Sequence, residues 1–308
     1  LPYYFSGAIP SFTDSFFESM SGFTTTGATI LTEIEEIPKA LLFWRAFTHW
    51  IGGMGIIVLS LAILPMLGIG GMQLFKAEVP GPTADKLTPR VQQTAKILWV
   101  VYVGITLVEV ILLSAGGMSI FDSVCHSFAT MATGGFSTRN ASVGAYNSAY
   151  LDYVITIFMF IAGINFALHY KFLVGKFNSY TKDFEFKTYL IITLLIAAVI
   201  TFANYSNDIY HTLTDAFRFG IFQTVAIVTT TGFGTADYEQ WAPVAQVLLF
   251  ILMFIGGSAG STGGGMKVIR VIVVFKQGLI ELKKLVHPHA VIPLRLGNKL
   301  IPKDVVLG

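Results

Sequence analysis

Long apolar stretches separated by short polar segments dominate the sequence. A helix needs about 20 residues to cross the roughly 30 Å hydrocarbon core of a bilayer, and several stretches reach that length with their flanks. They occupy residues 43–67, 97–115, 153–174, 188–202 and 244–255, the last continuing after a break through 268–275. The pattern predicts an all-α, multi-pass membrane protein.

The composition supports this interpretation. Hydrophobic residues make up 54% of the chain and charged residues 12%, against about 25% charged residues in globular proteins, and the mean hydropathy is +0.67. A net charge of +2 is too small for a nucleic-acid partner. The single cysteine, Cys125, excludes an intrachain disulfide and a multi-thiolate metal site. The 30 glycines indicate backbone that bends or breaks in apolar surroundings.

Basic and acidic residues alternate between the connections. Most lysines and arginines fall within 76–96, 171–187 and 267–303, whereas acidic residues mark 33–36, 208–215 and 237–239. Short cytoplasmic loops retain Lys and Arg. The first group of connections is therefore predicted to be cytoplasmic and the second external.

A Thr/Gly-rich motif occurs three times, each copy before a long apolar stretch. The copies read FESMSGFTTTGAT over 17–29, CHSFATMATGGFST over 125–138 and FQTVAIVTTTGFGT over 222–235. Aligned on Gly27, Gly135 and Gly232, they lie about 100 residues apart, which indicates an internal repeat. The predicted unit is an apolar helix, a half-length helix, a Thr/Gly segment and a second apolar helix.

This unit suits a cation pore. A half-length helix ends at membrane depth, where free carbonyls need a water-lined cavity, and its negative C-terminal end favours a cation. Glycine allows carbonyl oxygens to turn toward an axis, and rings of carbonyls replace an ion's hydration shell. A single TTTG would equally fit helix packing; three copies favour a selectivity filter. The predicted ion-binding residues are Thr25, Thr26, Gly27, Ala28, Thr133, Gly134, Gly135, Phe136, Thr230, Thr231, Gly232 and Phe233.

These motifs, with the glycine-rich stretch at 256–265, resemble the bacterial Trk/Ktr family of potassium-transporter membrane subunits, most closely the TrkH type. The resemblance covers nearly the whole chain. It implies four pore-loop repeats with pseudo-fourfold symmetry and potassium held only by the filter carbonyls. It also implies a homodimer in the lipids of the bacterial inner membrane. A cytoplasmic ring of TrkA-type regulatory subunits would carry the nucleotide, ATP, ADP or NAD.

Three filter segments are visible where the family has four. We therefore expect that the first span of repeat 1 and the whole fourth repeat lie outside this sequence. The predicted divisions are repeat 1 at 1–71, a cytoplasmic connection at 72–94, repeat 2 at 95–175, a connection at 176–187, repeat 3 with a broken second span at 188–282, and a connection toward an absent fourth repeat at 283–308.

The glycine-rich stretch should interrupt a helix, because each glycine costs about 1 kcal/mol in a helix interior. We predict a gate below the third filter segment; a helix kink with close packing is the alternative. A phosphate-binding loop fails on spacing, since Met266 separates Gly265 from Lys267. The predicted gate residues are Gly256, Gly257, Ser258, Ala259, Gly260, Ser261, Thr262, Gly263, Gly264 and Gly265.

Few other residues suggest chemistry. His49, His126 and His211 lack metal-ligand spacing, and no catalytic arrangement appears, so the chain is predicted not to be an enzyme. The side chain of Arg218 is expected to snorkel toward the outer membrane interface. Lys267 is expected to anchor a helix end at the cytoplasmic interface. The carboxylate of Glu109 should face a neighbouring helix or a dimer contact.

Two alternatives to a gated conduit remain. One is the potassium-translocating subunit of an ATP-driven pump, which needs a P-type ATPase partner. The other is a secondary transporter coupled to protons or sodium, which calls for ionisable residues along the path. The spans contain few such residues apart from Glu109.

Overall fold

The computed structural model describes residues 2–58 and 91–286, together with Pro293, 295–296 and 299–300. The chain is mostly helical there, as predicted. The α-helices in these ranges are α1 (Pro2–Phe5), α2 (Phe12–Phe23), α3 (Lys39–Val58), α4 (Val91–Ala115), α5 (Ile120–Met131), α6 (Ala149–Ala162), α7 (Phe166–Leu173), α8 (Ser179–Lys182), α9 (Phe184–Ser206), α10 (Leu213–Val228), α11 (Pro243–Leu252) and α12 (Val268–Val286). A short antiparallel pair joins β1 (Arg295–Leu296) to β2 (Lys299–Leu300).

Among the described helices, α4 and α9 are each long and apolar enough to cross a membrane, over Ala95–Ala115 and Phe184–Ser206. Helices α6 and α7 reach that length only as a pair, and they are bent by 100°. The apolar stretch predicted over 153–174 is therefore two helices joined at a bend and not one continuous helix. Asn165 begins a new helix there, because its side chain accepts a hydrogen bond from the Ala167 N–H (2.9 Å) as an N-cap.

The remaining predicted spans differ at their ends. Helix α3 is described to Val58, and residues 59–67 of the predicted first span lie outside the described residues. Helix α11 ends at Leu252, short of the predicted residue 255. The two predicted connections at 72–94 and 283–308 lie largely outside the described residues.

Three short helices, α2, α5 and α10, begin with the same cap. A Ser or Thr side chain accepts a hydrogen bond from the N–H of an Asp three residues later, at 3.1–3.3 Å. The Asp also lies in the first turn, where its negative charge complements the helix dipole. These helices have 12, 12 and 16 residues. The cap pairs are Ser11 with Asp14, Ser119 with Asp122, and Thr212 with Asp215.

The buried core surrounds the short helices, while the outer helices expose apolar side chains. Phe136, Phe222 and Phe233 belong to one buried cluster, and Tyr189 and Trp241 to a second. Outward-facing apolar side chains suit contact with lipid. They include Val100, Leu107, Val108 and Ile111 on α4, Ile191, Leu194, Leu195 and Phe202 on α9, and Val244, Val247, Phe250 and Ile251 on α11.

Candidate functional site

Each Thr/Gly segment leaves its short helix through the same turn. The N–H of Thr25 donates to the Gly22 carbonyl (3.1 Å), and the N–H of Thr26 to the Ser21 carbonyl (3.0 Å). This pair of bonds is a Schellman motif, which satisfies carbonyls at a helix C-terminus. The same bonds recur from Thr133 to Thr130, Gly134 to Ala129, Thr230 to Ile227 and Thr231 to Ala226, all at 2.9 Å.

The turn requires left-handed backbone at two positions in every segment. The first is threonine each time, although a β-branched residue with positive φ is a steric outlier that costs of order 1–3 kcal/mol. The second is the aligned glycine, which adopts this region freely. Strain that recurs at three equivalent places points to a functional requirement. The φ angles are 54°, 52° and 60° at Thr25, Thr133 and Thr230, and 78°, 80° and 79° at Gly27, Gly135 and Gly232.

The three segments lie side by side in chain order. A Cβ atom added to Gly27 would overlap the Gly134 carbonyl oxygen, and one added to Gly135 would overlap the Thr231 carbonyl oxygen. A Cβ at Gly232 meets no heavy atom of the described residues within 4 Å. Each of the first two glycines therefore permits a close backbone contact with the next segment. The structure therefore places the first segment against the second and the second against the third.

The chain that follows each segment also contacts its neighbour. The N–H of Gly144 donates to the Gly234 carbonyl (3.0 Å), which joins repeats 2 and 3. The side-chain oxygen of Asn140 accepts from the Ile34 N–H (2.8 Å), and the Asn140 N–H donates to Glu35 (2.9 Å). The loops after the segments are therefore fixed relative to one another by hydrogen bonds between repeats.

A buried ion pair lies behind the first two segments. The guanidinium Nε of Arg45 donates to the Glu18 carboxylate at 2.6 Å, and both side chains are at most 2% exposed. Its Nη1 donates to the Ser137 carbonyl (2.9 Å), and the guanidinium lies 3.6 Å from the centre of the Phe136 ring. Arg45 therefore links repeat 1 to segment 2. Nothing in its sequence neighbourhood indicates these partners; the only signal is an arginine within an apolar stretch.

The glycine-rich stretch between α11 and α12 passes directly beneath the third segment. The N–H of Gly264 donates to the Thr230 hydroxyl at 2.6 Å. The Thr262 hydroxyl donates to the carbonyl of Met131, the last residue of α5, at 2.9 Å. The stretch is therefore bound to the ends of two short helices, next to residues of the predicted filter.

Glu185, at the start of α9, binds both the glycine-rich stretch and the first turn of α12. Its carboxylate oxygen accepts hydrogen bonds from the N–H groups of Ala259 (2.8 Å) and Ile269 (3.2 Å). The ammonium of Lys267 donates to the Gly263 carbonyl. Lys267 therefore folds back onto the glycine-rich stretch, and the expectation that it anchors a helix end at the interface is wrong.

The bend between α6 and α7 packs against the same stretch. The Gly163 carbonyl accepts from the Ser258 N–H (2.8 Å), and the Gly260 carbonyl from the Phe166 N–H (3.0 Å). Irregular backbone at membrane depth needs partners within the protein. The breaks in repeats 2 and 3 supply these partners to each other, which explains why both helices are interrupted at one level.

Two of the three histidines named above, His49 and His126, are buried in the protein. His126 is fully buried and hydrogen-bonded at both ring nitrogens, and His49 stacks on Phe136 with ring centres 3.9 Å apart. His211 lies just before the Thr212 cap of α10. Within the described ranges, no group of three or more His, Cys, Asp or Glu could hold a metal ion.

Arg218 is placed differently from expectation, whereas Glu109 has one of its two predicted surroundings. Arg218 does not snorkel outward, because its Nε donates to the buried Asp152 carboxylate of α6 at 2.7 Å. Glu109 is fully buried near Thr130 on α5, so it faces a neighbouring helix of its own chain rather than an exposed surface. Neither of its carboxylate oxygens has a well-formed hydrogen bond with the described residues.

Comparison with known proteins gives matches along almost the entire chain. Residues 1–307 match the family model described as TrkH, cation transport protein. The Trk system potassium uptake protein TrkH of Salmonella typhimurium is 46% identical over 309 residues, which cover 99% of this chain and 64% of that relative. The Trk system potassium uptake protein TrkG of Escherichia coli strain K12 is 36% identical over 298 residues, which cover 96% of this chain and 61% of that relative.

A solved structure has the same fold. The crystal structure of the potassium transporter TrkH from Vibrio parahaemolyticus matches with a TM-score of 0.85 and 44% sequence identity, covering 96% of this chain and 61% of that chain. The chain therefore spans just under two thirds of the length of the relatives it matches. The prediction of a mostly helical membrane protein of the Trk type is confirmed.

Proposed function

Since the chain belongs to the TrkH family, a family of cation transport proteins and not of enzymes, we propose that it forms part of the conduction pathway of a potassium uptake protein. Main-chain oxygens of 25–28, 133–136 and 230–233 take the place of water around a dehydrated potassium ion. The names of the relatives, which are Trk system potassium uptake proteins, support potassium as the transported ion.

The recurrent turn is the observation that carries this proposal. The three segments share a left-handed threonine, a left-handed glycine and the same Schellman hydrogen bonds. Two of the glycines also lie in close contact with the backbone of the next segment. Equivalent segments in lateral contact suit a ring around an axis. We propose three sides of a pseudo-fourfold filter, with one side from each of the repeats at 1–71, 95–175 and 188–282.

The stretch 256–265 is proposed as the gate. Its Gly264 N–H binds the Thr230 hydroxyl, and the Glu185 carboxylate accepts hydrogen bonds from its Ala259 N–H and from the Ile269 N–H in the first turn of α12. These hydrogen bonds, and those to Met131 and to the bend between α6 and α7, join the stretch to other elements rather than form part of a helix. They can break without unfolding a helix, so the stretch can move aside as a unit. The alternative of a plain helix kink would not need a connection to the proposed filter.

The wider assembly is also proposed, on the family resemblance. The protein would act as a homodimer in the bacterial inner membrane, with a cytoplasmic ring of TrkA-type subunits that bind the nucleotide and control the gate. The names of the relatives refer to a Trk system, which fits a protein with several components. The ATP-driven pump and the coupled transporter have no comparable support from a specific observation.

Rubidium uptake into proteoliposomes tests the filter. The intact protein would be compared with Gly232→Ser, with sodium as competitor, and with Gly117→Ser as control. Gly117 also has a positive φ, 91°, and open space around its Cβ position. The proposal predicts rubidium uptake by the intact protein and by Gly117→Ser alike. Gly232→Ser should take up rubidium more slowly or admit sodium. Uptake unaffected by Gly232→Ser, or seen only with an imposed proton gradient, would overturn the proposal and favour a coupled transporter.

A further inference from the structure

One polar side chain occupies the same position in each short helix. Glu18 precedes Gly27, His126 precedes Gly135 and Gln223 precedes Gly232, each by nine residues. All three are at most 2% exposed. A buried polar group costs free energy unless it is hydrogen-bonded, and three different residue types at one position share only the ability to form such bonds.

All three side chains bind the chain just after the proposed filter. The Glu18 carboxylate accepts from the Thr29 hydroxyl (2.9 Å) and the Ile30 N–H (3.2 Å). The Gln223 amide donates to the Ala236 carbonyl (3.3 Å). The short helix and the outgoing chain are thereby joined behind each segment.

In repeat 2 the hydrogen bonds define the protonation of the histidine. The His126 Nδ1 faces the Asp122 carbonyl (2.8 Å) and must donate, because a carbonyl oxygen only accepts. Nε2 then accepts from the Ser137 hydroxyl (2.9 Å), which itself accepts from the Arg139 N–H (3.0 Å). The chain of bonds from α5 to the outgoing loop is fully satisfied with neutral histidine.

We propose that Glu18, His126 and Gln223 are positioning residues that fix the distance between each short helix and the far end of its segment, and so set the cation selectivity of the filter. This inference rests on the proposed function. The filter oxygens must hold one spacing to prefer one ion size, and that spacing needs support from the short helix behind each segment as well as from the hydrogen bonds between repeats. The three side chains supply that support from the side away from the ion.

The supports differ in strength. Glu18 accepts bonds from a hydroxyl, a main-chain N–H and the Arg45 guanidinium, whereas Gln223 makes one neutral bond of 3.3 Å. Bonds to charged groups are about twice as strong as neutral ones. The side-chain support behind the third segment, which lies above the glycine-rich stretch, is therefore the weakest of the three.

Rubidium uptake with sodium competition in proteoliposomes tests the inference on the intact protein. His126→Leu removes the bonds at similar volume, and His126→Gln installs the residue found in repeat 3. We expect His126→Leu to lower the preference for rubidium over sodium by about fivefold, the ratio that corresponds to one lost neutral hydrogen bond. His126→Gln should stay within about twofold of the parent protein, since an amide can form a bond of the same kind.

Ser137→Ala gives a second route to the same bond and disturbs the core less. It should lower selectivity in the same direction, and the double variant with His126→Leu should add little, because both changes remove one interaction. Unchanged selectivity in His126→Leu and Ser137→Ala, with altered selectivity in Gly232→Ser, would overturn this inference and leave the filter intact. Unchanged selectivity in all three would overturn the filter itself.

Discussion

Gly135 lies so close to the main-chain carbonyl oxygen of Thr231 that a Cβ atom on the glycine would overlap that oxygen. The contact joins the backbones of two repeats, and a backbone cannot move aside as the end of a flexible side chain can. The spacing between the second and third segments is therefore set by main-chain atoms. Gly27 stands in the same relationship to the carbonyl of Gly134.

Replacing Gly135 by alanine should abolish rubidium uptake, because segment 133–136 must shift to relieve the overlap. Gly117→Ala is the matched control, since Gly117 has φ of 91° and nothing within 4 Å of its Cβ position. Backbone strain at either site costs about 1 kcal/mol. We expect uptake to fall more than about tenfold for Gly135→Ala, an effect above about 1.4 kcal/mol, and to change little for Gly117→Ala. Equal losses would show that strain, rather than the contact, is responsible.

Removing the Arg45 guanidinium should destabilise the fold. In Arg45→Met the Glu18 carboxylate loses its charged partner while remaining buried, which typically costs about 3–5 kcal/mol. Arg139→Met is the control, because Arg139 pairs with Asp122 at 3.2 Å with its side chain 42% exposed, and exposed pairs contribute about 0–1 kcal/mol. Thermal unfolding in detergent should show a large fall in Tm for Arg45→Met alone. Similar Tm values for both variants would contradict the structural role of the buried pair.

Weakening the Glu185 bonds should open the proposed gate. Glu185→Gln loses the charge, and Glu185→Ala also loses the one oxygen that accepts from the Ala259 and Ile269 N–H groups. A hydrogen bond to a charged group contributes about 1.5–3 kcal/mol, so the population of the open state should rise about tenfold or more. Rubidium uptake measured without regulatory subunits should increase in the order parent protein, Glu185→Gln, Glu185→Ala.

The control for this series is Glu281→Gln on α12, the same substitution at an exposed residue that pairs with Lys284. It should leave uptake unchanged. A fall in uptake for both Glu185 variants, with ion selectivity preserved, would mean that Glu185 supports the open rather than the closed arrangement.

The glycine positions were accessible to sequence reasoning because glycine alone adopts positive φ at low cost. Aligning the copies on Gly27, Gly135 and Gly232 selects three residues with φ of 78–80°. The left-handed threonines were not predictable, because a β-branched residue disfavours that conformation and only the surrounding contacts impose it. The bend at Asn165 could not be predicted, because a glycine followed closely by an asparagine, here Gly163 and Asn165, also occurs in unbroken helices.

The contacts between residues far apart in the sequence are the part of the site that could not be predicted. Arg218 reaches Asp152 on another repeat, and Glu185 reaches Ala259 and Ile269; nothing local in the sequence joins these residues. The position shared by Glu18, His126 and Gln223 was visible as a fixed offset from the aligned glycines. The shared role of this position could not be predicted, because an acid, an imidazole and an amide differ in chemistry and only their hydrogen bonds in the structure are alike.

Locating the bound cation tests the central proposal most directly. Crystals of the intact protein grown with thallium would be compared by anomalous diffraction with crystals in which excess potassium or sodium competes. The filter proposal predicts anomalous density beside the main-chain oxygens of Thr25, Thr133 and Thr230, displaced by potassium and retained in sodium. Density confined to another place, such as the buried carboxylate of Glu109, or density that sodium displaces as readily as potassium, would contradict it.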